Sequence, residues 1–215
     1  QSTWGESNVR MASAAALTLL YLLLAANNAE AESEIVHDTD GQDINVGQRY
    51  FVLPVFRGSG GGVTTDSVLN NTCSDGVVQD SNELSNGIPV IFLPQNSTGS
   101  VILLSTIMKI QFSPFGLIDK RQATCSLSAW WKLSSFQFEK KQYLVSVGDD
   151  GRSPSLFKFE KYDSDYFFQF CPSDCLGNCK AICRNVGINF DNNVRRLALS
   201  DVPFRVMLKK VATRD

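Results

Sequence analysis

Residues 170–187 read FCPSDCLGNCKAICRNVG and hold four of the chain's six cysteines, Cys171, Cys175, Cys179 and Cys183. How these thiols are read decides the fold. Successive cysteines stand four residues apart, wider than the Cys-x2-Cys knuckles usual in zinc sites. A redox Cys-x-x-Cys pair is absent from the sequence. In an oxidising compartment clustered thiols become crosslinks, whereas in a reducing one they favour metal or catalytic roles. The compartment is therefore the next thing to read.

Met11 to Ala31 reads MASAAALTLLYLLLAANNAEA. Its apolar run, Ala14 to Ala26, falls short of the about 20 residues that cross a bilayer. It ends in Ala29-Glu30-Ala31, the small-x-small pattern of a signal-peptide cleavage site. Residues 11–31 are predicted to be a signal peptide, although the n-region after Met11 lacks a Lys or Arg. Residues 1–10 read as a segment translated from upstream sequence, and residues 32–215 as one domain with a sizeable core. The product is expected to be secreted, extracellular or vacuolar. Export turns the six cysteines into an expected set of three disulfides, for which counting alone leaves fifteen pairings open.

Charge narrows the partners. Twenty Lys and Arg stand against 22 Asp and Glu, for a net charge of −2. They are scattered, so no basic block points to nucleic acid. No later segment is apolar for long enough to span a membrane once the leader is removed. His37 is the only histidine, which leaves histidine-dependent triads and His-rich metal sites almost no material. With no paired-carboxylate signature either, no enzyme is expected, and neither is a cofactor or metal. Three motifs are set aside. Arg57-Gly58-Ser59-Gly60-Gly61-Gly62-Val63 lacks the Gly-Lys-Ser/Thr of a phosphate loop and reads as a tight crossover needing positive φ. Asp38, Asp40 and Asp43 resemble a calcium loop, yet Gly41 stands at its fourth position and Arg49 where the closing Glu belongs. Trp130-Trp131 reads as a pair split between core and surface.

The remaining chain reads as strands and turns. Segments 50–56, 90–93, 101–112, 143–147, 156–162, 166–170, 196–200 and 204–211 are rich in aromatic and β-branched residues. Phe157 and Phe159 alternate with Lys158 and Glu160, and Phe204, Val206 and Leu208 with Arg205, Met207 and Lys209. Turn signals lie at Asp40-Gly41, Gly58 to Gly62, Asn86-Gly87, Gly148 to Gly151 and Asp191 to Asn193. No amphipathic helix follows the leader. Many short strands predict an all-β barrel or sandwich.

Several motifs then converge. Phe170-Cys171-Pro172-Ser173-Asp174-Cys175, Cys179 and Cys183-Arg184-Asn185-Val186-Gly187 resemble the miraculin-like branch of the plant Kunitz-type (soybean trypsin inhibitor-like) protease inhibitors. So do Arg195-Arg196-Leu197-Ala198-Leu199-Ser200-Asp201, Gly60-Gly61-Gly62 and Asn86-Gly87-Ile88-Pro89-Val90. At the start, Val36-His37-Asp38-Thr39-Asp40-Gly41, Ile44 and Tyr50-Phe51-Val52 match the family signature. The resemblance implies a β-trefoil barrel of six two-stranded hairpins in three pseudo-repeats. It also implies the pairings Cys73–Cys125, Cys171–Cys183 and Cys175–Cys179. The function it implies is inhibition of endopeptidases by a rigid substrate-like loop, without catalysis, by a monomer whose partners are secreted or vacuolar proteases. The alternative is a non-inhibitory storage or defence protein.

By the same resemblance the reactive loop falls at Gln95, Asn96, Ser97 and Thr98, with Asn96 or Ser97 as the residue for the protease's primary pocket. Trypsin takes Arg or Lys there, and the nearest in sequence are Arg57 and Lys109. Trypsin-inhibiting relatives support the loop from inside with an Asn near the N-terminal Tyr; here Val46 aligns, with Asn45 beside it. Asn96-Ser97-Thr98 and Asn70-Asn71-Thr72 are N-glycosylation sequons, and a glycan on Asn96 would obstruct a narrow cleft. Strong trypsin inhibition is therefore not expected. The target class stays open among serine, cysteine and aspartic proteases. Lys120-Arg121 is a basic pair on an expected loop and reads as solvated charge.

Overall fold

In Leu156–Tyr162 the side chains alternate as a strand with one buried face requires. Phe157 and Phe159 are fully buried, while Lys158 and Glu160 turn outward and form an ion pair. This strand is β8 of twelve in a computed structural model that describes residues 34–66, 76–95, 99–113, 130–138, 141–148, 155–172 and 183–212. No α-helix occurs among the described residues.

Six strands close a ring: β1 (Arg49–Pro54), β4 (Val90–Pro94), β5 (Met108–Phe112), β8, β9 (Asp165–Cys171) and β12 (Val206–Lys210). Three long antiparallel ladders carry it. The first, between β4 and β5, runs from Val90↔Phe112 to Pro94↔Met108. The second, between β8 and β9, runs from Leu156↔Cys171 to Tyr162↔Asp165. The third joins β1 to β12, from Tyr50↔Lys210 to Pro54↔Val206. Shorter pairings at Arg49↔Ile91, Met108↔Phe157 and Val206↔Tyr166 complete the circuit.

The other six strands form hairpins: β2 (Val63–Asp66) with β3 (Gly76–Gln79), β6 (Trp130–Leu133) with β7 (Val145–Gly148), and β10 (Arg184–Asp191) with β11 (Val194–Ser200). They hold one another through Arg196↔Val78, Gly76↔Ser146 and Leu144↔Ala198. In chain order, four strands recur three times, the outer two in the ring and the inner two in the cap. This is a β-trefoil, and closure removes the exposed sheet edges that invite aggregation. The threefold order escaped the sequence because it resides in the pairing scheme, where no side-chain pattern has to repeat.

The ring is filled by aromatics. Phe159 packs 5.0 Å from Phe92 and 4.7 Å from Phe168, and Trp131 lies 5.5 Å from Phe168 and 6.0 Å from Phe157. Several of these pairs are edge-on, the arrangement that aromatic quadrupoles favour. Burying each such side chain contributes about 1.5–3 kcal/mol. Trp131 is in the core and Trp130 half-buried, so the pair divides as its sequence suggests. The open end of the ring is closed by residues 34–46. Val36 N–H donates to the Ile102 carbonyl (2.9 Å), Ile102 N–H to Ile44 (2.8 Å) and Ile44 N–H to Val36 (2.8 Å), and all three side chains are fully buried.

Turn chemistry follows the sequence. Asn192 and Asn193 take positive φ, 49° and 65°, between β10 and β11, as a primed hairpin turn demands. The glycine-rich stretch is a crossover: Gly61 N–H reaches the Asp80 carbonyl and Gly62 N–H that of Ser85, both at 2.8 Å. One reading is corrected. Residues 101–112 are not one strand, since β5 begins only at Met108. Val101 and Leu103 instead bridge to Asn45 and Ile35, and Ser105 turns the chain at φ 58°. The apolar run is extended as expected, but its first half pairs with the N-terminal segment. Of the turn expected at 148–151, Gly148 ends β7 and residues 149–151 lie outside the described residues.

Cys171 and Cys183 are disulfide-bonded, with Cα atoms 4.4 Å apart. Cys73, Cys125, Cys175 and Cys179 lie outside the described residues. The described residues belong to one compact unit, Glu34–Asp215.

Candidate functional site

β4 ends at Pro94, and the segment beyond it is pinned on both sides. Gln95 N–H donates to the Ile107 carbonyl at 3.0 Å, which continues the β4–β5 ladder by one step. On the far side Val46 N–H donates to the Ser100 carbonyl at 2.8 Å, and Val101 bridges to Asn45. Gly47 N–H reaches back to the Phe92 carbonyl at 3.2 Å. Gln95 and Ser100 are thus each fixed by backbone hydrogen bonds, and Gln95, Gly99 and Ser100 are exposed. Asn96, Ser97 and Thr98 lie outside the described residues, as do Asn70 and Lys120-Arg121.

The support beneath comes from the N-terminal segment. Val46 packs its side chain against the core. Asn45 does not replace the missing amide: its Nδ2 donates to the Asp43 carbonyl at 2.8 Å on the exposed side. The anchor is instead Tyr50, fully buried on β1, whose hydroxyl accepts Asn45 N–H at 2.9 Å. Tyr166 plays a matching part, accepting His37 N–H at 3.1 Å. Sequence reading missed both hydroxyls. The available signal was two tyrosines in strands whose rings belong in the core, since a buried tyrosine hydroxyl needs a partner.

The basic residues nearest the loop in sequence do not enter it. Lys109 pairs with Leu93 inside the β4–β5 ladder, and Arg57 follows the opposite end of β1. His37 Nδ1 stands 3.2 Å from Asp43 Oδ1, both about half exposed. Of the calcium-like carboxylates, Asp38 has a backbone duty: its Oδ1 accepts the N–H groups of Asp40 and Gln42, each at 2.9 Å. Among the described residues, no three His, Cys, Asp or Glu side chains gather as a metal site. The described residues form a β-trefoil scaffold in which Gln95 and Ser100, on either side of residues 96–98, are fixed by backbone hydrogen bonds.

Known proteins share this fold. "Kunitz trypsin inhibitor 5" of Arabidopsis thaliana is 37% identical, covering 90% of this chain and 97% of its own length. Miraculin of Synsepalum dulcificum is 34% identical, covering 88% and 91%. Among solved structures, a Kunitz-type cysteine protease inhibitor from potato superposes with a TM-score of 0.69 at 26% identity, covering 85% of this chain and all of its own. The sequence profile described as trypsin and protease inhibitor, of the legume Kunitz type, matches residues 36–210. The chain therefore belongs to the Kunitz-type trypsin and protease inhibitor family, a family of inhibitors and not of enzymes.

Proposed function

We propose that this protein inhibits an endopeptidase by inserting residues 95–98 into the protease cleft, and that trypsin is not its strong target. The observation that carries the reading is the bracing of this segment on both sides, at Gln95–Ile107 and Val46–Ser100, in a loop without Arg or Lys. A loop whose two flanks are fixed in the free protein loses less entropy on docking, so more of the contact energy appears as affinity. Asn96 or Ser97 fills the primary pocket, and neither supplies the cation that a trypsin-like pocket binds.

The proposal includes export by the 11–31 leader to the cell exterior or vacuole, with residues 32–215 working there as a monomer. It includes N-glycans at Asn70 and Asn96, and the bridges Cys73–Cys125 and Cys175–Cys179 beside Cys171–Cys183. A second reading has support of its own: miraculin's name is not that of an inhibitor, and here the loop carries a sequon in place of a basic residue. On that reading the protein is a storage or defence trefoil with no protease partner.

A panel separates the two. Mature protein, with and without its glycans, is titrated against trypsin, papain and pepsin. Inhibition of one class near stoichiometry, with trypsin weak, supports the first reading. Inhibition of none in either form supports the second.

A further inference from the structure

β1 has two ends with different surroundings. Its start lies beside the braced loop, through Val46 and Gly47. Its far end is about 20 Å away at strand rise, where Val55 N–H bonds the Arg205 carbonyl (3.2 Å) and Phe56 emerges 59% exposed. The segment joining β11 to β12 passes the same place. Phe204 N–H bonds the Val186 carbonyl at 2.9 Å, and Val202 stands 75% exposed. Between these segments lies a cleft of about 310 Å³, walled by Pro54, Phe56, Ile188, Pro203 and Phe204.

Two arginines complete the walls, and they differ. Arg205 is committed: it pairs with Asp165, and its guanidinium lies between the rings of Phe56 (5.1 Å) and Tyr162 (4.9 Å). Its role is to hold Phe56 as a wall. Arg195 is the available cation. Its Nε donates to Gln79 Oε1 at 2.7 Å and its guanidinium covers Phe190 at 4.4 Å, both neutral partners. Among the described residues no carboxylate pairs with it. A guanidinium offers five N–H donors in a fixed fork suited to a carboxylate or sulfonate, so Arg195 retains donors for an incoming anion.

We propose that this cleft is a second binding site, separate from the loop, for a small amphipathic organic anion: a flat apolar body seated against Phe56, Ile188 and Phe204, with its head group on Arg195. The volume sits at the lower edge of ligand pockets, about 300–1,000 Å³, which suits a body of one or two rings. The apolar walls disfavour an inorganic anion, and Arg195 disfavours a cation. Because the site lies at the other end of β1, its occupation leaves the loop free.

The test is a two-dimensional ¹H–¹⁵N NMR titration with three probes of one shape: 1-naphthoate, 1-naphthylmethanol and 1-naphthylmethylammonium. Naphthoate is expected to give saturable shifts at Phe56, Ile188, Val202 and Phe204 while Gln95 and Ser100 stay still. It is expected to bind about tenfold tighter than the alcohol, with the ammonium weakest. Arg195→Gln should erase the preference for naphthoate over the alcohol, and Arg195→Lys should restore part of it. Val202→Glu, a rim substitution that leaves the core untouched, should weaken naphthoate alone and decides the matter if Arg195→Gln does not fold. Absence of saturable shifts at the cleft up to about 5 mM, equal binding of the three probes, or an unchanged preference in the variants overturns the proposal.

Discussion

Tyr50→Phe removes one oxygen atom and little else. The ring, fully buried and 6.2 Å from Phe92, keeps its packing, so no cavity term enters. What disappears is the acceptor for Asn45 N–H, at 2.9 Å. Asn45 is half-buried, and its neighbours Val46 and Gly47 donate to Ser100 and Phe92. Stranding a buried donor costs about 1–3 kcal/mol; partial exposure of Asn45 places the loss toward the lower end. At roughly 2–4 °C per kcal/mol for a domain of this size, Tm should fall by a few degrees. Urea denaturation gives the free energy, and hydrogen exchange gives its location: the amides of Asn45, Val46 and Gly47 should exchange faster while those of β8 and β9 keep their protection. Unchanged stability within about 0.3 kcal/mol, or faster exchange spread evenly over the barrel, would refute the assignment of Tyr50 as the anchor beneath the loop.

Two glycines with similar φ should respond differently. At Gly41 (φ 74°) an added Cβ meets nothing within 4 Å, so Gly41→Ala should cost only the left-handed conformation, about 1–2 kcal/mol in urea denaturation. At Gly87 (φ 76°) it would lie 2.1 Å from the backbone oxygen of Val63, so Gly87→Ala should cost more than twice as much, and equal losses would contradict the packing. Replacing both Cys171 and Cys183 by Ala opens a loop with a sequence separation of 12; the chain-entropy relation gives a loss of about 3 kcal/mol, measured by the same denaturation. The Lys161 amine, hydrogen-bonded to the Glu34 carboxylate, is raised above its ordinary pKa. Its contribution is present in full below the unfolded value and lost as pH rises through the folded one, so Glu34→Gln should flatten the Tm profile only above about pH 10.4.

The barrel strands were legible, whereas of the cap strands only β7 and most of β11 were, for a physical reason. β1, β4, β8, β9 and β12 carry aromatic and β-branched residues on a buried face, so composition and alternation both announce them. β2, β3 and β6 have four residues each, too few for a period to emerge; β7 is as short, but it lies in the apolar, β-branched run 143–147 that composition alone announces. β10 contains Asn185, Gly187 and Asn189, poor strand formers, and is held in place by a seven-pair ladder with β11. Most of β11, residues 196–200, was read and only Val194 and Arg195 at its start were missed, because Arg195 places a charge close after the turn residues and lines the cleft. The loop was located by resemblance and not by chemistry, since its braces at Gln95, Val46 and Gly47 are backbone N–H groups that any residue except proline supplies. The lack of a basic residue in the loop was legible at once, being a statement about side chains alone.

Trypsin titration of the parent protein, Asn96→Arg and Ser97→Arg, all deglycosylated and all matched in Tm, tests the braced loop most directly. The parent should fail to inhibit at nanomolar concentration. One of the two variants should gain about 100-fold or more, the worth of one well-filled central pocket. Stoichiometric nanomolar inhibition by the parent, or no gain in either folded variant, would contradict the assignment of residues 95–98 as the segment that enters the protease.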